Sequence, residues 1–380
     1  MRILHFHDAP HIHGGATAYL KRLMPEMEAR GHENRLFCLD QASDWFPSSD
    51  QSHFQYQWPS SALQRRKDFH QFHAPLADAL EKWIQEQAPD LVHVQNCSAF
   101  RSTIFPTILK TGVPLLMTVH DFSLIDPNPW GLERSGVSGW LKRAMDRYSL
   151  GKARKAVFES TQRFLCPTEA LQDGIGFPRG KSRLQRLPIE FAEAPELPMD
   201  RLRLFFAGTL FRSKGVDVLL HALAGSTGEL REATLEIAGG GDQEDNLKAL
   251  CADLGLEARV RFLGFCTPEQ MEAAYGRANV QVLPSRVPEN SPLTVLEAGA
   301  RGRPSIASHA GGVPELLGFG RGWTFPSEDH EALRQVLQEL ARDLSTLHNP
   351  AQGMRQWVRH EFAPQKHWDS VHSTYHELKR

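Results

Sequence analysis

The chain of 380 residues is longer than one hydrophobic core usually serves, so its length predicts two domains. Apolar residues make up 41% and charged residues 23%, which is typical of a folded globular protein and argues against disorder. The formal net charge of −2 gives no electrostatic reason to expect nucleic-acid binding, and an anionic ligand would need a local site.

Cysteine usage and the absence of long apolar runs favour a cytoplasmic protein. The five cysteines occur singly, without a Cys-x-x-Cys pair, which favours reduced thiols over disulfides or a zinc site. The N-terminal MRILHF leads directly into a strand-like run and lacks the pattern of a signal peptide. No apolar run approaches the length of about 18 residues that spans a membrane.

Residues 5–20, HFHDAPHIHGGATAYL, combine four histidines with a glycine pair. A metal site needs three or four converging ligands, which one short segment rarely supplies, so we expect no metal here. We favour a strand-to-helix loop in which Gly14 and Gly15 let the backbone approach a phosphate closely. His13 is then a candidate ligand contact, and His5 is expected in the core.

Through the first half, short apolar runs alternate with longer amphipathic ones, as in βαβ units around a parallel sheet. The predicted strands are RILHF, NRLFCL, DLVHVQ, PLLMTVH and RFLCP, and helices are predicted at ATAYLKRLMPEMEARG and HAPLADALEKWIQEQ. Gly31 occupies the usual stop position of the first helix.

Two polar features of the first half have alternative interpretations. His120 and Asp121 after a strand could form a general-base couple, a metal pair or a polar strand end capped by the aspartate. We favour a ligand-contacting His120 and a structural Asp121. Residues 139–155, with six basic residues and one acid, predict either an interfacial helix on anionic lipid or a solvated helix packed on the core.

Residues 188–200, rich in proline and acids, predict a connecting segment before the βα pattern restarts. The later strands are expected at RLRLFFAG, ATLEIAGGG, RVRFLGF, VQVLPS and PSIAS. We therefore predict two α/β domains, each with a doubly wound parallel sheet, facing a cleft. The expected bounds are 1–195 and 196–358 for the two domains, followed by a final helix at 359–380.

The most informative stretch, residues 284–315, contains two glutamates separated by seven residues, Glu289 and Glu297. A helix predicted from Leu293 to Ala300, with Glu297 about one turn in, would point its free N–H groups at the sheet edge, where a diphosphate fits. Glu297 could then accept ribose hydroxyls and Glu289 could reach the sugar. The residues expected around the diphosphate are Asn290, Ser291, Pro292, Leu293 and Thr294. The alternative is that these acids only offset the helix dipole.

Upstream, residues 205–220 predict a strand, a basic turn and a helix. Lys214 and Arg212 could neutralise phosphates from this turn, although an ordinary solvated loop is the alternative. The glycines around Gly240 suggest close backbone approach to a ligand, and Phe265 could present its ring to a base or belong to a plain core strand. The glycine cluster around Gly240 does not have the full dinucleotide-binding pattern.

Taken in order, GGATAYL, DLVHVQN, TVHD, GTLFRSKGVDVLL, LEIAGGGD, RVRFLGF, the E-x7-E segment and GGVPE resemble the family 4 glycosyltransferases (glycosyl transferases group 1). The resemblance covers roughly residues 1–320, and the tail resembles the family's last helix, which implies that the helix at 359–380 crosses back to the first domain. It implies the GT-B fold and a retaining transferase that moves a sugar from a nucleotide-diphosphate sugar to an acceptor hydroxyl, without a cofactor or catalytic metal. The TVHDFSLIDP segment resembles members that act in bacterial surface polysaccharide assembly, so the implied acceptor is a glycan or a lipid-linked glycan.

The resemblance also implies roles for residues at the matching positions. Glu297 would hold the ribose, Glu289 and His120 the donor sugar, and Lys214 the diphosphate. The donor-binding set would be completed by Gly14, Gly15, Gly208, Thr209, Gly240, Phe265, Asn290, Ser291, Pro292, Leu293 and Thr294.

One departure from the family concerns Thr209, where many members have arginine; Arg212 could supply that charge. The rival functions are a nucleotide-sugar epimerase of the same architecture and a nucleotide-sugar-binding protein without catalysis. The expected location is the cytoplasm, with or without contact with the inner face of the membrane.

Overall fold

The computed structural model describes residues 1–8, 15–39, 53–56, 72–97, 100–126, 148, 150–191, 193 and 195–379. The chain divides into two compact units. The first comprises residues 1–129, 133–186 and 365–380, and the second comprises residues 130–132 and 187–364.

The division between the units follows residue 186, whereas the sequence placed it after residue 195. The reason is visible at Ile189, whose N–H donates to the carbonyl of Phe362 at 2.9 Å and whose side chain is buried in a core cluster of the second unit. The chain returns to the first unit at residue 365 rather than 359.

The first unit contains a seven-stranded parallel sheet in the order β3-β2-β1-β4-β5-β6-β7. Its strands are β1 (Arg2–His7), β2 (Glu33–Cys38), β3 (His53–Gln55), β4 (Leu91–Asn96), β5 (Leu115–Thr118), β6 (Arg163–Cys166) and β7 (Ser182–Leu184). The helices of this unit are α1 (Gly15–Ala29), α2 (Ala74–Gln87), α3 (Arg101–Thr111) and α4 (Glu169–Ile175), and residues 150–160 are also helical.

The second unit contains a six-stranded parallel sheet in the order β10-β9-β8-β11-β12-β13. Its strands are β8 (Arg203–Ala207), β9 (Thr234–Ala238), β10 (Val260–Gly264), β11 (Val280–Leu283), β12 (Ser305–Ser308) and β13 (Gly322–Phe325). The helices are α5 (Val216–Ala224), α6 (Glu244–Asp253), α7 (Pro268–Arg277), α8 (Leu293–Ala300), α9 (Val313–Leu317), α10 (His330–Arg342) and α11 (His348–Glu361).

The last helix, α12 (Pro364–Lys379), packs along the first unit's sheet. The Tyr375 hydroxyl lies 2.7 Å from Nδ1 of His93 on β4, and Lys379 pairs with Asp90 at 3.0 Å just before that strand. These contacts hold the helix against β4 and the segment that precedes it.

Each sheet reverses its strand order once, between β1 and β4 in the first unit and between β8 and β11 in the second. In open parallel sheets, ligands bind at the carboxyl ends of the strands beside such a reversal. These two edges are therefore the places to look for a site.

Helix signals in the sequence agree with the local structure. The N-terminus of α4 is capped by the Thr168 hydroxyl, which accepts from the N–H of Leu171 at 3.2 Å. Gly31 adopts φ +79° after α1, as a helix stop requires. None of the described helices combines the length and hydropathy needed to cross a bilayer. The five cysteines are free thiols.

Candidate functional site

Two loops approach each other beside β8 and β11, where the second sheet reverses its order. The loop after β8 contains a 3-10 turn, Arg212–Lys214, and the loop after β11 contains Arg286. The backbone N–H of Arg286 donates to the carbonyl of Ser213 at 2.8 Å, and its guanidinium donates to the Arg212 carbonyl at 2.9 Å. The same guanidinium binds both oxygens of Asp217 at 2.7 and 2.6 Å. This bidentate pair fastens the two loops together.

The fastened loops bring Lys214 and Glu289 into contact. Nζ of Lys214 donates to Oε1 of Glu289 at 2.6 Å, and both side chains remain partly exposed, at 26% and 16%. The pair places one cation and one carboxylate side by side at the carboxyl edge of the sheet.

The glycines of the GGVPE segment pack against the backbone of Glu289. Gly311 pairs with Glu289 as an isolated parallel bridge, and the N–H of Gly312 donates to the Glu289 carbonyl at 2.7 Å. A Cβ on Gly311 would lie 2.2 Å from that carbonyl oxygen, and its φ is +61°. Only glycine fits this close approach.

The α8 helix begins at Leu293, shortly after Glu289. Pro292 occupies the cap position in an extended conformation and no side chain caps the helix, which leaves its first N–H groups available. Asn290 is buried, and the buried hydroxyl of Ser291 has no hydrogen-bond partner among the described residues. Uncapped N–H groups beside Lys214 are the donor set that an anion requires.

Glu297 lies one turn into α8 and is steadied by Tyr275 of α7. The Tyr275 hydroxyl is 3.3 Å from Oε2 of Glu297 and 3.5 Å from the Thr294 carbonyl. Burial and the Glu297 charge raise the pKa of Tyr275 well above its ordinary value, so the phenol remains a donor. The Glu297 side chain is partly exposed.

The glycine loop after β9 packs against the loop after β8. The N–H of Gly208 donates to the Ala238 carbonyl at 3.0 Å, and a Cβ on Gly239 would lie 1.9 Å from the Gly208 oxygen. A Cβ on Gly240 would lie 2.7 Å from the ring of Phe265, which is 85% exposed. Loop packing alone therefore requires Gly239, and the approach of Gly208 and Gly240 to a ligand stays a prediction. Phe265 follows the last residue of β10, and its exposure shows that it lies outside the core.

The remaining basic-loop residues lie on the surface. Thr209 and Arg212 are exposed, directly after β8 and at the start of the 3-10 turn. It stays a prediction that Arg212 supplies the charge of the arginine that many family members have at the position of Thr209.

In the first unit, His120 follows β5 at the carboxyl edge of its sheet. Its Nε2 lies 3.4 Å from Oε1 of Gln95, and its ring packs edge-on against Tyr19 at 5.3 Å. Burial, with smaller contributions from His7 and His367, lowers the pKa of His120 to about 3. The imidazole is therefore neutral near pH 7.

The other residues singled out in this unit have defined places where they are described. Asp121 accepts from the N–H of Ser123 at 2.8 Å, which is the structural capping role. His5 is fully buried and bonds Asn34 at 2.8 Å, as expected of a core residue. Gly15 is the first residue of α1. Gly14, His13 and most of residues 139–155 lie outside the described residues.

Sequence reasoning missed Arg286, Asp217 and Tyr275, which position the site rather than form it. Arg286 and Asp217 lie in two of the segments singled out above, but they are distant in the chain and nothing in either segment indicates that they pair. Only the pairing of β8 with β11 brings them together.

Two doubly wound, all-parallel α/β units with the site elements at their carboxyl edges define the GT-B class of protein. Solved structures of this class match nearly the whole chain. HepE from Anabaena, in complex with UDP and glucose, has a TM-score of 0.76 at 18% identity and covers 100% of both chains. Sucrose-phosphate synthase from Thermosynechococcus elongatus has a TM-score of 0.77 at 20% identity and covers 99% of this chain and 98% of its own.

Family models identify the chain more closely. The model described as "Glycosyl transferase 4-like domain" matches residues 14–188, and "Glycosyl transferases group 1" matches residues 189–357. The chain belongs to the family 4 glycosyltransferases.

Curated relatives agree with this assignment over part of their length. An uncharacterized glycosyltransferase of Methanocaldococcus jannaschii is 36% identical over 34% of this chain and 33% of its own. The amylovoran biosynthesis glycosyltransferase AmsK of Erwinia amylovora is 31% identical over 44% of each chain. The chain thus spans between a third and a half of the length of these relatives.

Proposed function

We propose that this protein is a retaining glycosyltransferase that moves a sugar from a nucleotide-diphosphate sugar to an acceptor hydroxyl. The observation that carries the proposal is the Lys214–Glu289 contact of 2.6 Å at the sheet edge, directly before the uncapped start of α8. A sugar diphosphate presents an anion and neutral hydroxyls at neighbouring positions. The lysine and the helix N–H groups suit the first, and the glutamate suits the second.

In this proposal Glu297 receives the ribose hydroxyls, since a carboxylate can accept two hydrogen bonds. Tyr275 takes one side of the carboxylate and limits its rotation. The loop residues Gly208, Thr209 and Gly240, with the exposed ring of Phe265, would line the nucleotide.

The proposed reaction is a front-face displacement. The acceptor oxygen forms a bond to the anomeric carbon as the bond to the diphosphate breaks, and the acceptor proton passes to the departing phosphate oxygen. No protein nucleophile is needed. Lys214 and the start of α8 stabilise the charge that develops on the leaving diphosphate, the kind of interaction that lowers barriers most. No metal cofactor is part of this mechanism.

We propose that His120 contacts the donor sugar and that the loop with Gly14 and Gly15 approaches the phosphates, as the family resemblance implies. A neutral imidazole can exchange hydrogen bonds with sugar hydroxyls. The low pKa of His120, caused mainly by burial, supports the neutral form.

The proposed pathway is bacterial surface polysaccharide or glycolipid assembly in the cytoplasm. Its support is the relatives' names, which include amylovoran biosynthesis for AmsK and colanic acid biosynthesis for WcaL of Escherichia coli, 29% identical over half of each chain. The acceptor would then be a glycan or lipid-linked glycan. Contact with a membrane surface through residues 139–155 stays part of the proposal.

The deciding experiment measures nucleotide release from a panel of UDP-, GDP- and ADP-sugars with and without alkyl glycoside and oligosaccharide acceptors. Acceptor-dependent release, with a product whose anomeric configuration by NMR matches the donor, supports the proposal. Inverted configuration overturns retention. Epimerised donor without acceptor indicates an epimerase, and ligand-induced thermal stabilisation without any turnover indicates a binding protein.

A further inference from the structure

Three histidines converge on the first unit at the amino-terminal end of its sheet, away from the edge described above. His32 lies between α1 and β2, and His372 and His376 lie on α12. One ring nitrogen of each lies within 4.8 Å of the others. Among the described residues this is the one group of histidines, cysteines and acids that could hold a metal ion.

We propose that His32, His372 and His376 form a zinc-binding site that ties α12 to the turn between α1 and β2. Zinc binds neutral imidazoles in tetrahedral sites, and three histidines leave the fourth position for water. The role inferred is structural, since the site lies at the opposite end of the strands from His120.

The spacing of the two helical histidines is suited to a shared ion. Residues four apart on a helix occupy the same face, the arrangement that zinc-binding helices use. Their ring centroids are 4.7 Å apart, and the His32 ring lies 4.9 Å from His372 and 5.8 Å from His376.

For the His32 and His372 rings, the movement needed to admit an ion is small. Nε2 of His32 is 2.8 Å from Nδ1 of His372, a hydrogen bond that requires one of the two rings to offer a lone pair. Ligands at about 2.0–2.1 Å from tetrahedral zinc are roughly 3.4 Å apart. If the two nitrogens move apart by about half an ångström, a zinc ion can take the place of the proton that they share.

The charged groups that act on the three rings are the Met1 ammonium, Arg30 and Asp369. Arg30 is adjacent, but its guanidinium is engaged by Glu26 at 2.7 Å and Asp369 at 3.1 Å. Asp369 lies one turn before His372 and adds negative charge to the site.

The last turns of α12 already contact β4 through Tyr375 and the segment before it through Lys379, and the proposed ion would add a connection to the turn between α1 and β2. Burial falls along the three ligands, from His32, buried, through His372 to His376, exposed. An ion can enter from the exposed side. Because His372 and His376 are not core residues, the variant that lacks both should fold.

The test compares tag-free, metal-stripped protein with the variant His372→Gln/His376→Gln. A matched control, His348→Gln/His360→Gln, removes two exposed histidines of the second unit. Zinc is titrated against a chromogenic chelator, cobalt(II) absorption reports coordination geometry, and thermal unfolding is recorded with and without zinc.

Wild type and control should bind one more zinc equivalent than the double variant, show tetrahedral cobalt bands and gain several degrees of Tm with zinc. His376→Gln alone should weaken this site by at least the roughly 10- to 100-fold that losing a supporting partner costs. Equal zinc stoichiometry and affinity in wild type and double variant overturns the proposal, as does octahedral cobalt. Circular dichroism and Tm of the metal-free variants confirm that each is folded.

Discussion

Lys214 and Glu289 are 75 positions apart in the chain, and their side chains meet at 2.6 Å. The contact depends on the pairing of β8 with β11 and on the Arg286 guanidinium, which holds the lysine's turn from the other loop. The lysine is thus presented at a fixed position rather than on a freely moving loop. Preorganised charge of this kind is what stabilisation of a leaving diphosphate requires.

Replacing Lys214 with methionine should lower kcat/KM by roughly 100-fold, since one preorganised charged donor is worth about 3 kcal/mol in the transition state. Steady-state kinetics with the best donor of the panel measures the loss. Lys248→Met is the matched control, because Lys248 forms an equally short 2.6 Å pair with Glu244 on the exposed face of α6. Equal activity of the two variants would remove Lys214 from the site.

The two glutamates should separate binding from turnover. Glu297→Gln should weaken nucleoside diphosphate binding by about 10- to 100-fold, the value of a hydrogen bond to a charged group. Glu289→Gln should leave that binding nearly unchanged and reduce kcat. Isothermal titration with UDP, GDP or ADP, followed by kinetics, distinguishes them, and Glu244→Gln serves as the control. The reverse pattern would exchange their proposed roles.

Gly215→Ala should abolish activity through backbone displacement. Its φ is +66° and an added Cβ would lie 2.0 Å from the Pro284 carbonyl oxygen, so the turn carrying Lys214 must shift. Gly255→Ala is a matched control, with φ +65° and nothing within 4 Å of the added atom. That variant should lose only about 1 kcal/mol of stability from backbone strain. Urea unfolding and kinetics check both; an active Gly215→Ala enzyme would contradict the fixed-turn argument.

Acid should destabilise the first unit through its buried histidines. Burial lowers the pKa of His5 to about 4 and of His367 to about 3, and that of His93 falls well below its ordinary value. All three are neutral when folded and gain a proton on unfolding below their unfolded pKa of about 6.5. Stability present above that pH is therefore lost as pH falls from about 6.5 towards 4, by about 1.4 kcal/mol per pH unit for each histidine.

Urea unfolding between pH 7.5 and 5 measures this slope. His5→Gln should reduce it by one histidine's share, whereas His348→Gln, at an exposed position, should leave it unchanged. Parallel curves for His5→Gln and wild type would show that His5 does not titrate between the two states.

Local sequence pattern was sufficient for the elements that are long or strongly periodic. It predicted the main strands of both sheets, the α1 stop at Gly31 and the α8 helix that carries Glu297. It missed β3, β7 and β13, which are short strands at the edges of their sheets. The first unit's end was also misplaced, since proline content marks a connection but not which core it packs on.

The sequence by itself determined the α/β class, the family and the residue types that a sugar diphosphate needs, because these depend on order and spacing along the chain. Only the tertiary structure decided which of those residues meet. The Lys214–Glu289 pair, the Arg286–Asp217 clamp and the histidine group around His32 all join segments that are far apart in sequence. Such contacts arise from strand pairing and helix packing, which place residues that are distant in sequence within a few ångströms of each other. A local sequence pattern does not indicate which of these residues will meet.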